Sequence, residues 1–160
     1  MRRLLACMVA AAAVSGVAAD DAVAQSRGFG LGVIIGEPTG LSAKLWQTRR
    51  TALDFGAAWS FVDDADFHLH MDFLWHRFDL IHVDEGQLPL YFGLGGRVKF
   101  HDQESDNQDT EVGISFPVGL DYLFDSVPFD LFLEVVPILD VAPDSDVTLN
   151  ASLGFRYWFH

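Results

Sequence analysis

The sequence predicts an all-β chain, an eight-stranded antiparallel up-and-down transmembrane β-barrel, and three observations carry that expectation. Apolar and polar residues alternate with a period of two over stretches longer than the ~5–6 residues of an ordinary globular strand and close to the ~9–11 that a tilted strand needs to cross a bilayer. On every stretch the apolar side is free of charge, while Asp, Glu, Lys and Arg fall on the other side. Turn-forming residues separate the stretches.

The closing stretch, residues 147–159, shows the pattern most fully. Val147, Leu149, Ala151, Leu153, Phe155, Tyr157 and Phe159 share one face, and Thr148, Asn150, Ser152, Gly154, Arg156 and Trp158 share the other. Earlier stretches repeat it. Residues 28–36 put Phe29, Leu31, Val33 and Ile35 against a side that is mostly glycine, which strands tolerate where large side chains of neighbouring strands need room. No G-x-x-x-x-G-K-[ST] motif or helix pattern accompanies these glycines, so a phosphate-binding loop is excluded.

After the turn Glu37-Pro38-Thr39-Gly40, a second strand turns Leu41, Ala43 and Leu45 outward and Ser42, Lys44 and Trp46 inward. A third, 51–61, has Leu53, Phe55, Ala57, Trp59 and Phe61 out and Asp54, Gly56 and Ser60 in. In the fourth, Phe67, Leu69, Met71, Phe73 and Trp75 alternate with His68, His70, Asp72, Leu74 and His76. Its parity slips near Arg77, as a bulge or the end of the crossing would produce. The fifth, 88–100, places Leu90, Phe92, Leu94, Val98 and Phe100 outward and Tyr91, Gly93, Gly95, Arg97 and Lys99 inward. The sixth, 111–124, turns Glu111, Ser115 and Asp121 inward, and the seventh, 129–141, does so with Asp130, Glu134 and Asp140.

An even number of strands returns both ends of the barrel to one side, and the acidic stretch 101–110, read as the longest loop, then lies outside the cell. The lipid-facing assignment is the reverse of a soluble lipocalin-like barrel, which is apolar inside. Phe61, Trp75, Phe100, Phe124, Tyr157 and Phe159 lie toward strand ends, where an interfacial girdle belongs.

Residues 1–24 read as a cleaved secretory signal: Arg2 and Arg3, an alanine-rich apolar run, then Ala22-Val23-Ala24, with Ala19 as the other cleavage point. Residues 25–160 form the barrel. Cys7, the chain's single cysteine, lies in the leader, so the exported chain makes no disulfides. The leader carries two charges of each sign (Arg2 and Arg3, Asp20 and Asp21), so the net charge of -13 is unchanged by cleavage. That balance excludes nucleic acid as a partner.

The residues Tyr91-Phe92-Gly93-Leu94-Gly95-Gly96-Arg97, Phe132-Leu133-Glu134-Val135-Val136-Pro137 and Gly154-Phe155-Arg156-Tyr157-Trp158-Phe159 resemble a family of small bacterial outer-membrane β-barrels of unassigned activity, with the architecture of OmpA-like and OmpX-like barrels. The resemblance implies residence in the outer membrane of a Gram-negative cell, with lipid and lipopolysaccharide around a monomer. It also implies that Gly154, Phe155, Tyr157 and Phe159 belong to the signal read by the barrel-assembly machinery, here followed by His160.

Inward parity assembles Lys44, Arg97, Lys99 and Arg156 against Asp54, Asp72, Asp121 and Glu134. A barrel of this size is just wide enough for side chains to fill, so these charges are expected to close the lumen, with Arg97 and Arg156 gripping carboxylates such as Glu134 bidentately. The alternative is a small gated pore for ions or solutes. His68, His70 and Asp72 share a face at metal-ligand residue types, but lumen lining is the reading preferred, and no metal or cofactor is expected. The external acidic residues Asp102, Glu104, Asp106 and Asp109 read as a solvated loop. Asn107 stands where a calcium-binding EF-hand needs glycine, and Gly113 where it needs the bidentate glutamate. A lipid-modifying enzyme is the least favoured reading, because no serine, histidine and orienting group fall together. The expected function is structural or surface-interacting, through external loops toward an unidentified extracellular ligand.

Overall fold

Period-two alternation becomes a closed wall in the computed structural model, which describes residues 28–60, 66–100 and 110–159. The strands are β1 (Phe29–Glu37), β2 (Thr39–Trp46), β3 (Thr51–Trp59), β4 (Phe67–Arg77), β5 (Leu90–Phe100), β6 (Thr110–Ser115), β7 (Val118–Leu123), β8 (Phe129–Ala142) and β9 (Asp146–Phe159). Neighbours in sequence other than β6 and β7 pair antiparallel, and β9 returns to β1 from Phe29↔Phe159 to Glu37↔Ala151, which closes the ring. β6 and β7 both run between β5 and β8, so the nine segments make eight crossings. The fold is the expected eight-stranded up-and-down barrel.

The division of the sixth crossing has a chemical cause. Pro117 has no N–H to give to a ladder. Phe116 N donates to Pro137 O at 2.9 Å and Gly93 N donates to Pro117 O at 2.8 Å, so both neighbours stay attached across the gap. A register shift at Val112/Gly113 adds a second irregularity to this crossing.

Side-chain parity follows the sequence reading. Leu31, Leu94, Leu133 and Leu153 stand exposed on the outer wall, whereas Lys44, Asp121 and Arg156 are at most 2% exposed within it. The slip after β4 is the end of the strand: Arg77 is its last residue, and Phe78 turns back so that its ring centroid lies 6.3 Å from that of Trp46.

Two expectations about length are corrected. The fifth strand begins at Leu90 instead of residue 88, because Pro89 gives its carbonyl to Asp121 N at 3.1 Å and lies before the regular ladder. The connection 78–89 is longer than 101–109, and it lies at the rim that carries Gly28 and Phe159, called the lower rim below. It is fastened to β7: Gln87 and Leu123 exchange backbone hydrogen bonds at 2.9 and 2.8 Å, Tyr122 Oη donates to Glu85 O at 2.9 Å, and Gly86 turns with φ of +73°. At its start, Arg77 donates two hydrogen bonds to Asp79, which hold that carboxyl down to about 2.

Outward aromatics gather at the lower rim, where Phe29 stacks on Phe159, Tyr157 meets Phe129 edge-on, and Trp75 stacks on Phe92. At the upper rim, Trp59, Phe67 and Phe100 form a contiguous row on β3 to β5. The proposed girdle member Phe61, the leader residues 1–24 and the acidic loop residues Asp102, Glu104, Asp106 and Asp109 lie outside the described residues.

Candidate functional site

Of the eight lumen residues singled out from parity, Lys44, Asp54, Asp121 and Arg156 are buried together in one network. Arg156 on β9 is at its centre. Its Nε donates to Asp130 Oδ1 and Oδ2 at 3.1 and 3.2 Å, its Nη1 to Asp54 Oδ1 at 2.8 Å, and its Nη2 to Asp121 Oδ2 at 3.4 Å. One guanidinium thereby serves three carboxylates on three strands, which its planar set of five donors allows. The guanidinium carbon also lies 4.1 Å above the Phe132 ring.

Lys44 completes this group. Its Nζ donates to Asp121 Oδ2 at 2.5 Å, lies 2.8 Å from His76 Nε2, and sits 4.8 Å from the Trp46 ring centroid. Toward the lower rim, Trp46, Ala52, Leu123 and Trp158, with Phe78 against them, form an apolar floor. Trp158 Nε1 donates to Asp130 Oδ2 at 3.1 Å and ties that floor to the charges above it.

The upper half of the lumen holds separate pairs. Arg97 Nη2 donates to both oxygens of Asp140 at 2.7 Å, and Asp140 Oδ2 also accepts from Thr148 Oγ1 at 3.0 Å. Lys99 Nζ lies 2.9 Å from Asp66 Oδ2 and 3.8 Å from Glu111 Oε2. Ser115 donates to Asp72 Oδ1. A cavity of about 30 Å³, room for one or two waters, is lined here by His68, His70, Asp72, Arg97 and Glu134.

Glu134 is the exception to the expected pairing. Neither arginine reaches it, and its Oε2 accepts from Tyr91 Oη at 2.8 Å instead. The arginines take Asp130 and Asp140, which stand four residues before and six after Glu134 on the same face of β8. Parity marks both as inward, but it carries no information on which inward residues meet. The signal for Asp130 lay in the ladder itself, where it is the direct partner of Arg156.

The glycines of β1 occupy the positions that these side chains need. Gly30 is opposite Trp158 and Gly32 opposite Arg156. A Cβ on Gly30 would stand 3.0 Å from the Trp158 ring, and one on Gly32 2.7 Å from Arg156 Cγ. Within the last strand, Gly154 makes the same allowance for the Phe132 ring, while Phe155, Tyr157 and Phe159 face outward.

No family model and no curated protein matches the chain. Among solved structures, the chain is similar to the N-terminal β-barrel domain of OprF from Pseudomonas aeruginosa, with a TM-score of 0.68 at 15% sequence identity over 84% of this chain and 98% of that one. The likeness is one of fold.

Proposed function

We propose that the chain is an integral outer-membrane protein, exported from the cytoplasm through a cleaved leader, whose lumen is closed by charged and aromatic side chains. Its role is structural or surface-interacting, exercised at the rim opposite the termini. The observation that supports this most is the inverted polarity: leucines, valines and phenylalanines cover the exposed wall, while Lys44, Arg156 and their carboxylates are sealed inside it. In water such a wall would be a large exposed apolar patch, whereas in a bilayer it is the matched solvent, and the closed ring satisfies the backbone there. A ring without edges also supports a monomer surrounded by lipid and lipopolysaccharide. Phe155, Tyr157 and Phe159 on the outer face of β9 are the residues that the assembly machinery would read. No chemical step is part of the reading.

Fractionation with heat-modifiable gel mobility tests this. A boiled sample that migrates differently from an unheated one, in the outer-membrane fraction, is the expected result. Recovery in the soluble periplasmic fraction without a mobility shift would overturn it.

A small gated pore is the second reading, favoured by the cavity beside Arg97 and His68 in the upper half. Planar-bilayer recording separates the two. The closed lumen predicts no steady conductance, in the native chain or in Arg97→Ala, because the Arg156 cluster and the Trp46–Trp158 floor lie beyond Arg97. Steady conductance that changes in Arg97→Ala would favour the pore.

A further inference from the structure

Asp54 on β3 and Asp72 on β4 are directly opposite each other in the ladder, an arrangement of like charges that destabilises a strand pair unless something stands between them. One oxygen of each is already occupied. Asp54 Oδ1 accepts from Arg156 Nη1, and Asp72 Oδ1 accepts from Ser115 Oγ. The remaining oxygens converge on one imidazole nitrogen: His70 Nε2 is 3.7 Å from Asp54 Oδ2 and 3.9 Å from Asp72 Oδ2. Both distances are too long for hydrogen bonds. They match the ~3–4 Å that separates two atoms bonded at ~2.0–2.2 Å to the same ion.

From this geometry we propose that Asp54, His70 and Asp72 bind a divalent first-row transition ion inside the barrel. The three donor atoms lie within 4.8 Å of one another. Arg156 and Ser115, holding the far oxygens, act as the outer-shell partners that orient metal-binding carboxylates. Two carboxylates and a neutral imidazole suit Zn²⁺ or Co²⁺ better than Ca²⁺, which takes oxygen ligands almost exclusively. The dication also supplies the charge that the opposed aspartates lack, since Arg156 is shared with Asp121 and Asp130.

Two further observations point to the same place. His68, only 4% exposed, lines the cavity that His70 and Asp72 line, and neither of its ring nitrogens has a hydrogen-bond partner among the described residues. The other is the space kept for the ligands. Gly56 is opposite His70 and Gly95 opposite Asp72, and a Cβ on either would overlap the imidazole or the carboxylate. The His70 side chain keeps 18% of its surface free of protein atoms, beside the cavity it lines.

The test uses the full mature chain folded in detergent and stripped with chelator, so its outcome does not depend on membrane residence or conductance. Zn²⁺ is titrated by calorimetry and Co²⁺ by visible absorption. The expected result is one saturable equivalent per chain, with a rise in Tm, and Co²⁺ bands of an imidazole and oxygen donor set. His70→Gln and Asp72→Asn should each weaken binding by more than the ~10–100-fold that loss of an outer-shell partner costs. His82→Asn, in the exposed lower-rim connection, should leave it unchanged. Gel mobility reports whether each variant folds, and His70→Gln decides the matter if Asp72→Asn does not. Absence of saturable binding overturns the proposal, as does equal affinity in the native chain and His70→Gln. In the latter case the ions sit elsewhere on the chain and His70 is only part of the lumen lining.

Discussion

Lys44 Nζ lies 2.5 Å from Asp121 Oδ2, joining β2 to β7 across the interior with both side chains fully withdrawn from solvent. Neither charge has water to fall back on. Breaking such a pair from one side leaves the other charge uncompensated, at a cost of about 3–5 kcal/mol, whereas removing both with apolar replacements is often neutral. Lys44→Met alone should therefore destabilise the barrel in urea unfolding from lipid vesicles by less than that full amount, because Arg156 Nη2 still lies 3.4 Å from Asp121 Oδ2. The double variant Lys44→Met with Asp121→Leu should lose less than the sum of the single changes. Strict additivity would show that the two groups are not coupled.

Arg156 and Arg77 are both gripped by aspartate, yet the same substitution should have different effects on them. Arg156 is buried and serves three carboxylates with separate nitrogens, a geometry that a lysine ammonium cannot span. Arg77 holds Asp79 with side chains about half exposed, where solvent screens the pair and it contributes little. Arg156→Lys should lower the unfolding midpoint strongly and Arg77→Lys hardly at all. Equal effects would mean that Arg156 is solvated in the folded barrel.

How far the molecule could be read from its sequence depends on which residues are considered. Parity placed Lys44, Arg97 and Arg156 inside and Leu31, Leu133 and Phe155 outside, because a closed wall leaves an alternating strand no third direction. It does not choose Asp130 over Glu134 as the partner of Arg156, since that depends on the register between β8 and β9, which sets Asp130 directly opposite Arg156. The break at Pro117 was legible in principle, because proline cannot donate to a ladder. The connection 78–89 was harder. Phe78 and Leu80 mimic strand periodicity, and only the packing of Phe78 on Trp46 shows that the crossing has ended.

The outer wall gives a depth-dependent prediction. Val135 lies near the middle of β8, and Val147 near the upper end of β9. An arginine at the bilayer midplane costs ~2–4 kcal/mol and one near the interface ~0–1. Val135→Arg should therefore destabilise the barrel in vesicles by about 2–4 kcal/mol, with Val147→Arg nearly silent. The difference should shrink when a soft detergent replaces the bilayer. Equal tolerance of both in vesicles would count against a lipid-facing wall.

Closure of the ring rests on the seam between β1 and β9, and Gly32 is its most constrained position. A Cβ there would overlap the Phe155 carbonyl oxygen and stand 2.7 Å from Arg156 Cα, so the clash is with backbone that cannot rotate away. Gly96 on β5 makes the comparison: a Cβ there meets nothing closer than Gly113 O at 3.7 Å. Valine is a good strand former, so propensity alone favours both substitutions. Gly32→Val should nevertheless reduce the heat-modifiable folded species sharply on refolding into detergent, while Gly96→Val should fold as well as the native chain. Because both residues are strand glycines, the contrast separates the close approach of backbone at the β1–β9 seam from the general cost of glycine in a sheet. If Gly32→Val folds normally, β1 and β9 do not meet in the register Gly32↔Arg156, and the ring closes in some other way.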